Sequence, residues 1–287
     1  MTFIKKGVVI PTGASGNVDD DQAKNPGVVR FNDKIYCYYD GFDGSNIRIC
    51  LAISEDGTNF TKKGVVVPLG TSGDVDDLYC SDSSVIKFND KIYCYYTGND
   101  GSNQRICLAI AEDGCTFVKK GVVIPLGSSG DADDADAKEP KVVEVNDKIY
   151  CYYVSNDGSY QRICLAISED GVNFVKKGVV VPLGAGGDVD DSHVVGPDVV
   201  KVNDKIYCYY GGYGGLRLRV CLAISEDGFT FVKKGVVVPL GASGDVDDLY
   251  VYRSGTISFN DKMYCYYSGD DGGSNARVCL AISEDGF

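Results

Sequence analysis

The sequence lacks several features that would assign a class of protein at once. It holds a single histidine, His193, so the sequence indicates no Ser/His or Cys/His nucleophilic pair. No apolar run approaches the roughly 18 residues that a membrane helix needs, and the opening MTFIKKGVVIP has neither the apolar core nor the cleavage site of a signal peptide. We therefore expect a soluble protein without a membrane partner, and the sequence favours a cytoplasmic location.

Positive charge is also scarce. The 28 Lys and Arg residues stand against 41 Asp and Glu residues, which leaves a formal net charge of −13. Binding to nucleic acid requires a basic surface that releases counterions from phosphates, so this class of partner is excluded. The acidic residues are spread along the chain, mostly in GDVDD and SEDG segments, and this pattern predicts a solvated rim of loops.

The 12 cysteines show no CxxC spacing, which argues against a zinc or redox site. Each of five pairs could face across a hairpin, where a disulfide is geometrically possible. The alternative is that they are small buried hydrophobic residues, and without an export signal we favour reduced thiols. The pairs are Cys37/Cys50, Cys94/Cys107, Cys151/Cys164, Cys208/Cys221 and Cys265/Cys279, with Cys80 and Cys115 outside the pattern.

The sequence consists almost wholly of one repeated unit. The segment NDKIYCYYDGFDGSNIRICLAISEDGTNF, which begins at Asn32, returns four more times with little change. The tyrosine that opens YCYY recurs in steps of 57 residues, at Tyr36, Tyr93, Tyr150, Tyr207 and Tyr264. Five such units fill the 287 residues, so the sequence predicts one domain, residues 1–287, with no linker.

Each unit is predicted to form four short strands. In the first unit these are Gly27–Phe31, Ile35–Tyr39, Arg48–Ser54 and Phe60–Val67, with a tight turn at Asn32-Asp33. The first residues match the last strand of a unit, and the chain stops where such a strand would follow. The sequence therefore predicts an all-β protein without helices, a five-bladed β-propeller of four-stranded antiparallel blades, whose last blade residues 2–10 complete. We expect it to be a monomer.

One segment varies among the five units, namely the residues that lead into the first strand. It reads DDDQAKNPGVV, DDLYCSDSSVI, DDADAKEPKVV, DDSHVVGPDVV and DDLYVYRSGTI. In a propeller these positions converge on the central axis, where five identical large side chains would not pack. Because the varied residues are mostly polar, we interpret them as a ligand site. The candidate ligand-binding residues are Gln22, Asn25, Tyr79, Asp82, Asp136, Glu139, His193, Tyr250 and Arg253, with the tyrosines as stacking platforms for a sugar face.

The unit resembles the five-bladed furanosidase clan in its NDKIYCYY, ICLAISEDGxxF and KKGVVVP segments. That clan includes the arabinanases and xylosidases of glycoside hydrolase family 43 with invertase-like, levansucrase-like and mannoside-phosphorylase-like relatives. The resemblance implies a carboxylate at the start of the first strand in each of the first three blades. These are a nucleophile or general base, an aspartate that supports the transition state, and a general-acid glutamate.

The corresponding positions here are Asn25, Asp82 and Glu139, followed by Gly196 and Arg253. Asp82 and Glu139 match the second and third members, and they are the candidate catalytic residues. Asn25 departs from the pattern, because a neutral amide can neither attack nor activate water. Asp136 is an alternative partner for Glu139, and an Arg253 cation nearby would oppose a raised pKa on Glu139.

Three functions follow from these features. The first is a carbohydrate-binding propeller that resembles a degenerate glycosidase and takes a small-molecule or oligosaccharide ligand. The second is an active glycoside hydrolase that uses Asp82 and Glu139, and the third is an amplified or designed ring without a small-molecule function. No cofactor is predicted; an axial Ca²⁺ beside His193 is a minor alternative, and GDVDD lacks the spacing of a calcium loop.

Overall fold

The computed structural model describes residues 3–215, 218–238, 250–260, 262–270 and 276–283, leaving aside the side chains of residues 3, 238, 250–254 and 270. Within these ranges the chain is all-β and contains no helix, so the predicted all-β class is confirmed. Nothing in the described ranges therefore has the length and apolar character of a membrane-crossing helix.

The strands form antiparallel sheets of similar design. One sheet holds β2 (Gln22–Phe31), β3 (Lys34–Phe42), β4 (Ile47–Ser54) and β5 (Thr61–Val67). The next holds β6 (Tyr79–Phe88), β7 (Lys91–Asn99), β8 (Gln104–Ala111) and β9 (Val118–Ile124). A further sheet holds β18 (Tyr250–Phe259), β19 (Lys262–Asp270), β20 (Arg277–Ser283) and β1 (Phe3–Ile10), with β1 antiparallel to β20.

The remaining eight strands are joined in one sheet made of two antiparallel sets. The first set holds β10 (Asp136–Val145), β11 (Lys148–Asn156), β12 (Gln161–Ser168) and β13 (Phe174–Val181). The second set holds β14 (His193–Val202), β15 (Lys205–Tyr213), β16 (Leu218–Ser225) and β17 (Val232–Val238). A single parallel pair, Gln161 opposite His193, links the two sets.

Local sequence explains the hairpins within each sheet. Asn32 and Asp33 have φ values of 49° and 56°, the backbone that a two-residue turn between right-twisted strands requires. At the next hairpin Gly57 has φ 78°, and Asp56 Oδ1 accepts the N–H groups of Thr58 and Asn59 at 2.8 and 2.7 Å. The turns predicted from these residue types are therefore present at the predicted places.

The apolar core lies between neighbouring sheets. Tyr36 and Tyr38 of β3 pack in one cluster with Val85, Cys94 and Tyr96 of the next sheet. A buried hydroxyl crosses each of four sheet junctions. Tyr38 donates to the carbonyl oxygen of Gly114 at 2.7 Å, Tyr95 to Gly171 at 2.6 Å, Tyr152 to Gly228 at 2.9 Å and Tyr266 to Gly57 at 2.8 Å. The first strands contact one another in the order β2, β6, β10, β14, β18 and β2 again.

One sequence-based expectation about local structure is wrong, and the favoured alternative for the cysteines, reduced thiols, is confirmed. The first strand begins at Gln22, not at Gly27, because a bulge between Lys24 and Gly27 lets the strand continue through the variable segment. The cysteine pairs do not face each other, since Cys37 lies opposite Ala52 and Cys50 lies opposite Tyr39. Both thiols are free and buried, and burial raises the pKa of Cys37.

The acidic segments are only partly a solvated rim. In four units the aspartate after the small apolar residue is buried, and it accepts a tyrosine hydroxyl at 2.7–2.8 Å. A lysine from the outer strand pairs with the same carboxylate at 2.6–2.7 Å. These buried aspartates are Asp19, Asp76, Asp133 and Asp190. Each one therefore joins a loop to two strands of its sheet.

Candidate functional site

The first strands carry a bulge at the same place, and the bulge residues have an unusual backbone. Asn25, Asp82 and Glu139 have φ values of 53°, 58° and 53°, and Gly196 has 56°. This left-handed region is disfavoured for any residue with a Cβ and costs of the order of 1–3 kcal/mol. Non-glycine residues persist there only where surrounding contacts hold them, and such positions concentrate at functional sites.

The four bulge residues line one cavity. The cavity has a volume of about 30 Å³, and its lining consists of Asn25, Pro26, Asp82, Ser83, Glu139, Pro140, Lys141, Gly196 and Pro197. A water needs roughly 10–15 Å³ of such space, so the cavity has room for about two waters. The structure thus brings Asn25, Asp82 and Glu139 together around this cavity.

The amide of Asn25 bridges two carboxylates. Its Nδ2 donates to Asp40 Oδ2 at 2.7 Å and to Asp82 Oδ1 at 2.9 Å. Asp40 is fully buried, and it also accepts the backbone N–H of Asp82 at 3.0 Å. Both amide hydrogens of Asn25 are therefore engaged, and they supply positive partial charge between two acidic groups that would otherwise repel each other.

The Glu139 carboxylate reaches from β10 to the neighbouring strand β14. Its Oε2 accepts the backbone N–H of Gly196 at 2.8 Å. Some of its surface remains exposed, yet protein atoms surround its carboxylate, and this desolvation raises its pKa. The charge of Lys138 and the Gly196 N–H act in the opposite direction with smaller effect. A raised pKa is what a proton donor at neutral pH requires.

Lys141 lines the cavity and forms an ion pair with the buried Asp198. Lys141 Nζ is 2.5 Å from Asp198 Oδ1, and Asp198 Oδ2 accepts the hydroxyl of Thr256 at 2.7 Å. Asp198 is 2% exposed. The ion pair therefore fixes the lysine that lines the wall of the cavity.

Four other candidates, Gln22, Tyr79, Asp136 and His193, occupy the first position of their strands and are not among the residues that line the cavity. Asp136 accepts the N–H of Gln104 at 3.0 Å and the side-chain amide of Asn156 at 2.9 Å, so its two carboxylate oxygens contact neighbouring strands. Tyr79 accepts a hydrogen bond from Asn99 at 2.9 Å. Gln22 Oε1 accepts a hydrogen bond from Lys24 Nζ. The ring of His193 stacks on that of Tyr213, with ring centroids 5.9 Å apart.

Tyr250 and Arg253 stand on β18, but their side chains lie outside the described residues. His193 meets no cluster of ligands: across the described part of the chain, no three His, Cys, Asp or Glu residues are placed to hold a metal ion.

Sequence analysis missed Asp40, the residue that engages both Asn25 and Asp82. A signal for it exists in the sequence. The residue after IYCYY or MYCYY differs in every unit, as Asp40, Thr97, Val154, Gly211 and Ser268. The same comparison among units that singled out the start of the first strand would have singled out this position as well.

Replacing Glu139 by glutamine is expected to raise the melting temperature at pH 7. Because the pKa of Glu139 is raised in the folded protein, the charged carboxylate lowers stability once the pH exceeds its unfolded value of about 4.3. Glutamine is neutral and its Oε1 can still accept the Gly196 N–H. Thermal unfolding at pH 4 and pH 7 should show the gain at pH 7 only. The exposed control Glu144→Gln should change neither value, and a lower melting temperature for Glu139→Gln at pH 7 would contradict the argument.

Comparison with known families and structures places this geometry in context. The family model described as the glycosyl hydrolases family 32 N-terminal domain matches residues 26–228. An uncharacterized protein of Mycobacterium tuberculosis is 26% identical over 268 residues, which cover 86% of this chain and 87% of that protein. The sucrose-6-phosphate hydrolase of Bacillus subtilis is 34% identical over 98 residues, 32% of this chain and 19% of the hydrolase.

The fold also resembles solved structures of low sequence identity. The β-1,2-mannobiose phosphorylase of Listeria innocua superposes with a TM-score of 0.77 at 15% identity, covering 99% of this chain and 97% of the phosphorylase. An identity this low shows a shared fold alone. The propeller fold predicted from the sequence is consistent with this neighbour.

Proposed function

Because this chain belongs to the family of the glycosyl hydrolases family 32 N-terminal domain, we propose that it is a carbohydrate-binding propeller with a degenerate glycosidase site. The site is the cavity lined by Asn25, Asp82, Glu139 and Lys141. Carboxylates, an amide and an ammonium group are the donors and acceptors that hydrogen-bond sugar hydroxyls. The ligand class is a small sugar or an oligosaccharide, of which one hydroxyl-bearing edge reaches the cavity.

The observation that carries this proposal is the bridging amide of Asn25. Glycoside cleavage needs one carboxyl group to protonate the leaving oxygen and a second to attack or to activate water. Asn25 stands where the family resemblance expects the second group, and both its N–H bonds point at Asp40 and Asp82. An amide in this position can position a sugar or a carboxylate, but it cannot act as nucleophile or base.

The architecture that we propose for this site is a closed ring of five blades formed by a single chain. A single parallel pair, Gln161 opposite His193, joins the two halves of the eight-stranded sheet, so each half is one blade. The pairing of β1 with β20 and the bond from Tyr266 to Gly57 support closure between the last blade and the first. Such a ring gathers the five bulges around one axis and needs no second copy, which supports a monomer.

An active hydrolase is the second candidate, and the raised pKa of Glu139 favours it. A glutamic acid that keeps its proton near neutral pH is suited to general acid catalysis, and Asp82 faces the same cavity. This candidate requires a nucleophile or base other than Asn25. It differs from the binding proposal in one measurable respect, which is turnover.

A sugar screen tests the proposed function. Calorimetry and thermal shift with sucrose, fructose, mannose, pentoses and β-1,2-mannobiose should find at least one sugar that binds the unmodified protein. Asp82→Ala and Glu139→Ala should abolish that binding, whereas Glu144→Ala, an exposed change on the same strand as Glu139, should leave it intact. Release of reducing sugar by the unmodified protein would favour the hydrolase. Silence across the screen, with alanine variants that are more stable than the unmodified protein, would favour a ring without a small-molecule function.

A further inference from the structure

In three units the residue that follows the YCYY segment accepts the backbone N–H of the bulge residue in the neighbouring sheet. Ser268 Oγ accepts the backbone N–H of Asn25 at 2.8 Å. Asp40 Oδ1 accepts that of Asp82 at 3.0 Å, and Thr97 Oγ1 accepts that of Glu139 at 2.9 Å. We call Asp40, Thr97 and Ser268 the cap residues. All three are fully buried, so water does not compete for these bonds.

The fourth bulge departs from this arrangement in an informative way. The position equivalent to the cap residues is Val154, which has no side-chain oxygen. The bulge residue there is Gly196, which adopts φ 56° without the Cβ penalty. Its N–H donates instead to Glu139 Oε2 at 2.8 Å. Glu139 therefore gives Gly196 the acceptor that a cap residue gives each of the first three bulges.

These contacts link the backbone of Glu139 to the direction of its carboxylate. A glutamate at φ 53° tends to relax towards an ordinary strand conformation. The Thr97 hydroxyl opposes this relaxation by fixing the N–H of Glu139. With the backbone fixed, the side chain of Glu139 spans the cavity from β10 to β14 and reaches the N–H of Gly196.

We propose that the cap residues Asp40, Thr97 and Ser268 are positioning residues of the carbohydrate site, and that Thr97 sets the direction of the Glu139 carboxylate. The part of this proposal that concerns sugar affinity rests on the proposed function. The part that concerns geometry does not, because it predicts changes in hydrogen bonding without any ligand. The two parts are therefore tested with separate measurements.

Amide hydrogen exchange of Thr97→Val tests the geometry. The substitution keeps the shape of the side chain and removes the acceptor. We expect the amides of Glu139 and Gly196 to exchange roughly fivefold to tenfold faster, and Thr97→Ser to restore both rates. The amide of Val142, which donates to Ser84 Oγ at 3.0 Å in the same strand as Glu139, is the internal control for global opening. A purely local role of Thr97 would change the Glu139 amide alone, so an unchanged Gly196 rate overturns the proposal.

Calorimetry with the sugar that binds best in the screen, for example β-1,2-mannobiose, tests the effect on the site. We expect Thr97→Val to weaken binding about tenfold and Thr97→Ser to bind as the unmodified protein does. Unchanged affinity with a faster Gly196 amide would overturn the positioning role in binding. Absence of binding by the unmodified protein would contradict the proposed function, while the exchange rates would still decide the geometry.

Val154→Thr is a second variant, which keeps the test valid if Thr97→Val fails to fold. Position 154 is equivalent to position 97 of the preceding unit, so the new hydroxyl should accept the N–H of Gly196 in the way that Thr97 accepts the N–H of Glu139. The Glu139 carboxylate then loses the Gly196 N–H as a hydrogen-bond donor. Because the Gly196 N–H lowers the pKa of Glu139, we expect that pKa, measured by carbon NMR of the carboxyl group, to rise. Val181→Thr, at a buried position on β13, is the control that buries a hydroxyl elsewhere and should leave it unchanged. An unchanged pKa in Val154→Thr overturns the proposal.

Discussion

Replacing Asp133 by alanine is expected to destabilise the protein by about 3–5 kcal/mol, because two side chains lose the buried carboxylate that they both contact. Asp133 is 4% exposed. Its Oδ2 accepts the hydroxyl of Tyr153 at 2.8 Å and pairs with Lys176 Nζ at 2.7 Å. Without the carboxylate, the Tyr153 hydroxyl stays buried without an acceptor and the lysine amine loses its counterion. The melting temperature should fall by roughly 10 °C.

Asp134→Ala is the matched control for this prediction. The neighbouring aspartate accepts only the N–H of Gly130, at 2.8 Å and in an exposed turn. Loss of such a bond costs about 1 kcal/mol or less, so the melting temperature should change little. Tyr153→Phe removes one of the two partners and should lie between the two alanine variants. Equal effects of Asp133→Ala and Asp134→Ala in thermal unfolding would refute the view that the buried acid is structural.

The sequence predicts the strands well because their signals are local. The Asn-Asp turn between β2 and β3 has the backbone that these residue types favour, and the continuous apolar runs of β3 and β4 form strands buried on both faces. Bulges are different. Asparagine and aspartate tolerate a positive φ, but nothing about the residue type of Glu139 indicates one. Contacts from another sheet, such as the Thr97 hydroxyl, impose that conformation.

The burial of the aspartates in the GDVDD segments also depends on contacts between residues that are distant in the sequence. A GDVDD segment looks like a solvated loop when it is considered alone, and its outer aspartates do cap exposed turns. The middle aspartate is buried because a tyrosine 20 residues later and a lysine 43 residues later converge on it. These intervals recur in other units, for example from Asp190 to Tyr210 and Lys233. Regular spacing of possible partners was therefore available in the sequence, but only the fold shows that they meet.

Asn25→Asp is expected to lower the stability by roughly 2–4 kcal/mol at pH 7. The substitution replaces an amide that donates to Asp40 and Asp82 with a third carboxylate. Repulsion raises the pKa of the introduced carboxyl above its ordinary value of about 3.9. The loss should therefore be small below that value, grow as the pH rises through the raised pKa, and be complete above it. Denaturant unfolding at pH 4 and pH 7 measures this difference.

Asn17→Asp provides a control with the same chemical change. Asn17 is exposed, and the equivalent residues in three other units are Asp74, Asp131 and Asp188. Stability should therefore change little at either pH. If Asn25→Asp were as stable as Asn17→Asp at pH 7, the bridging amide would have no energetic importance and the main argument for a degenerate site would fail.

The double variant Asn25→Asp/Asp40→Asn should recover part of the stability, because the amide introduced at position 40 donates to the carboxylate introduced at position 25, which leaves that carboxylate repelled by Asp82 alone. The amide has then moved to the buried position, and the cavity gains the carboxylate that glycoside cleavage requires beside Glu139. If the site is a degenerate glycosidase, this variant should hydrolyse an aryl-arabinofuranoside or aryl-xyloside faster than the unmodified protein and faster than Asn25→Asp alone. A stable double variant without turnover would mean that Asn25 is not what separates this chain from an active enzyme. Glu139→Ala in the double-variant background should abolish any turnover gained, since the proton donor is then absent.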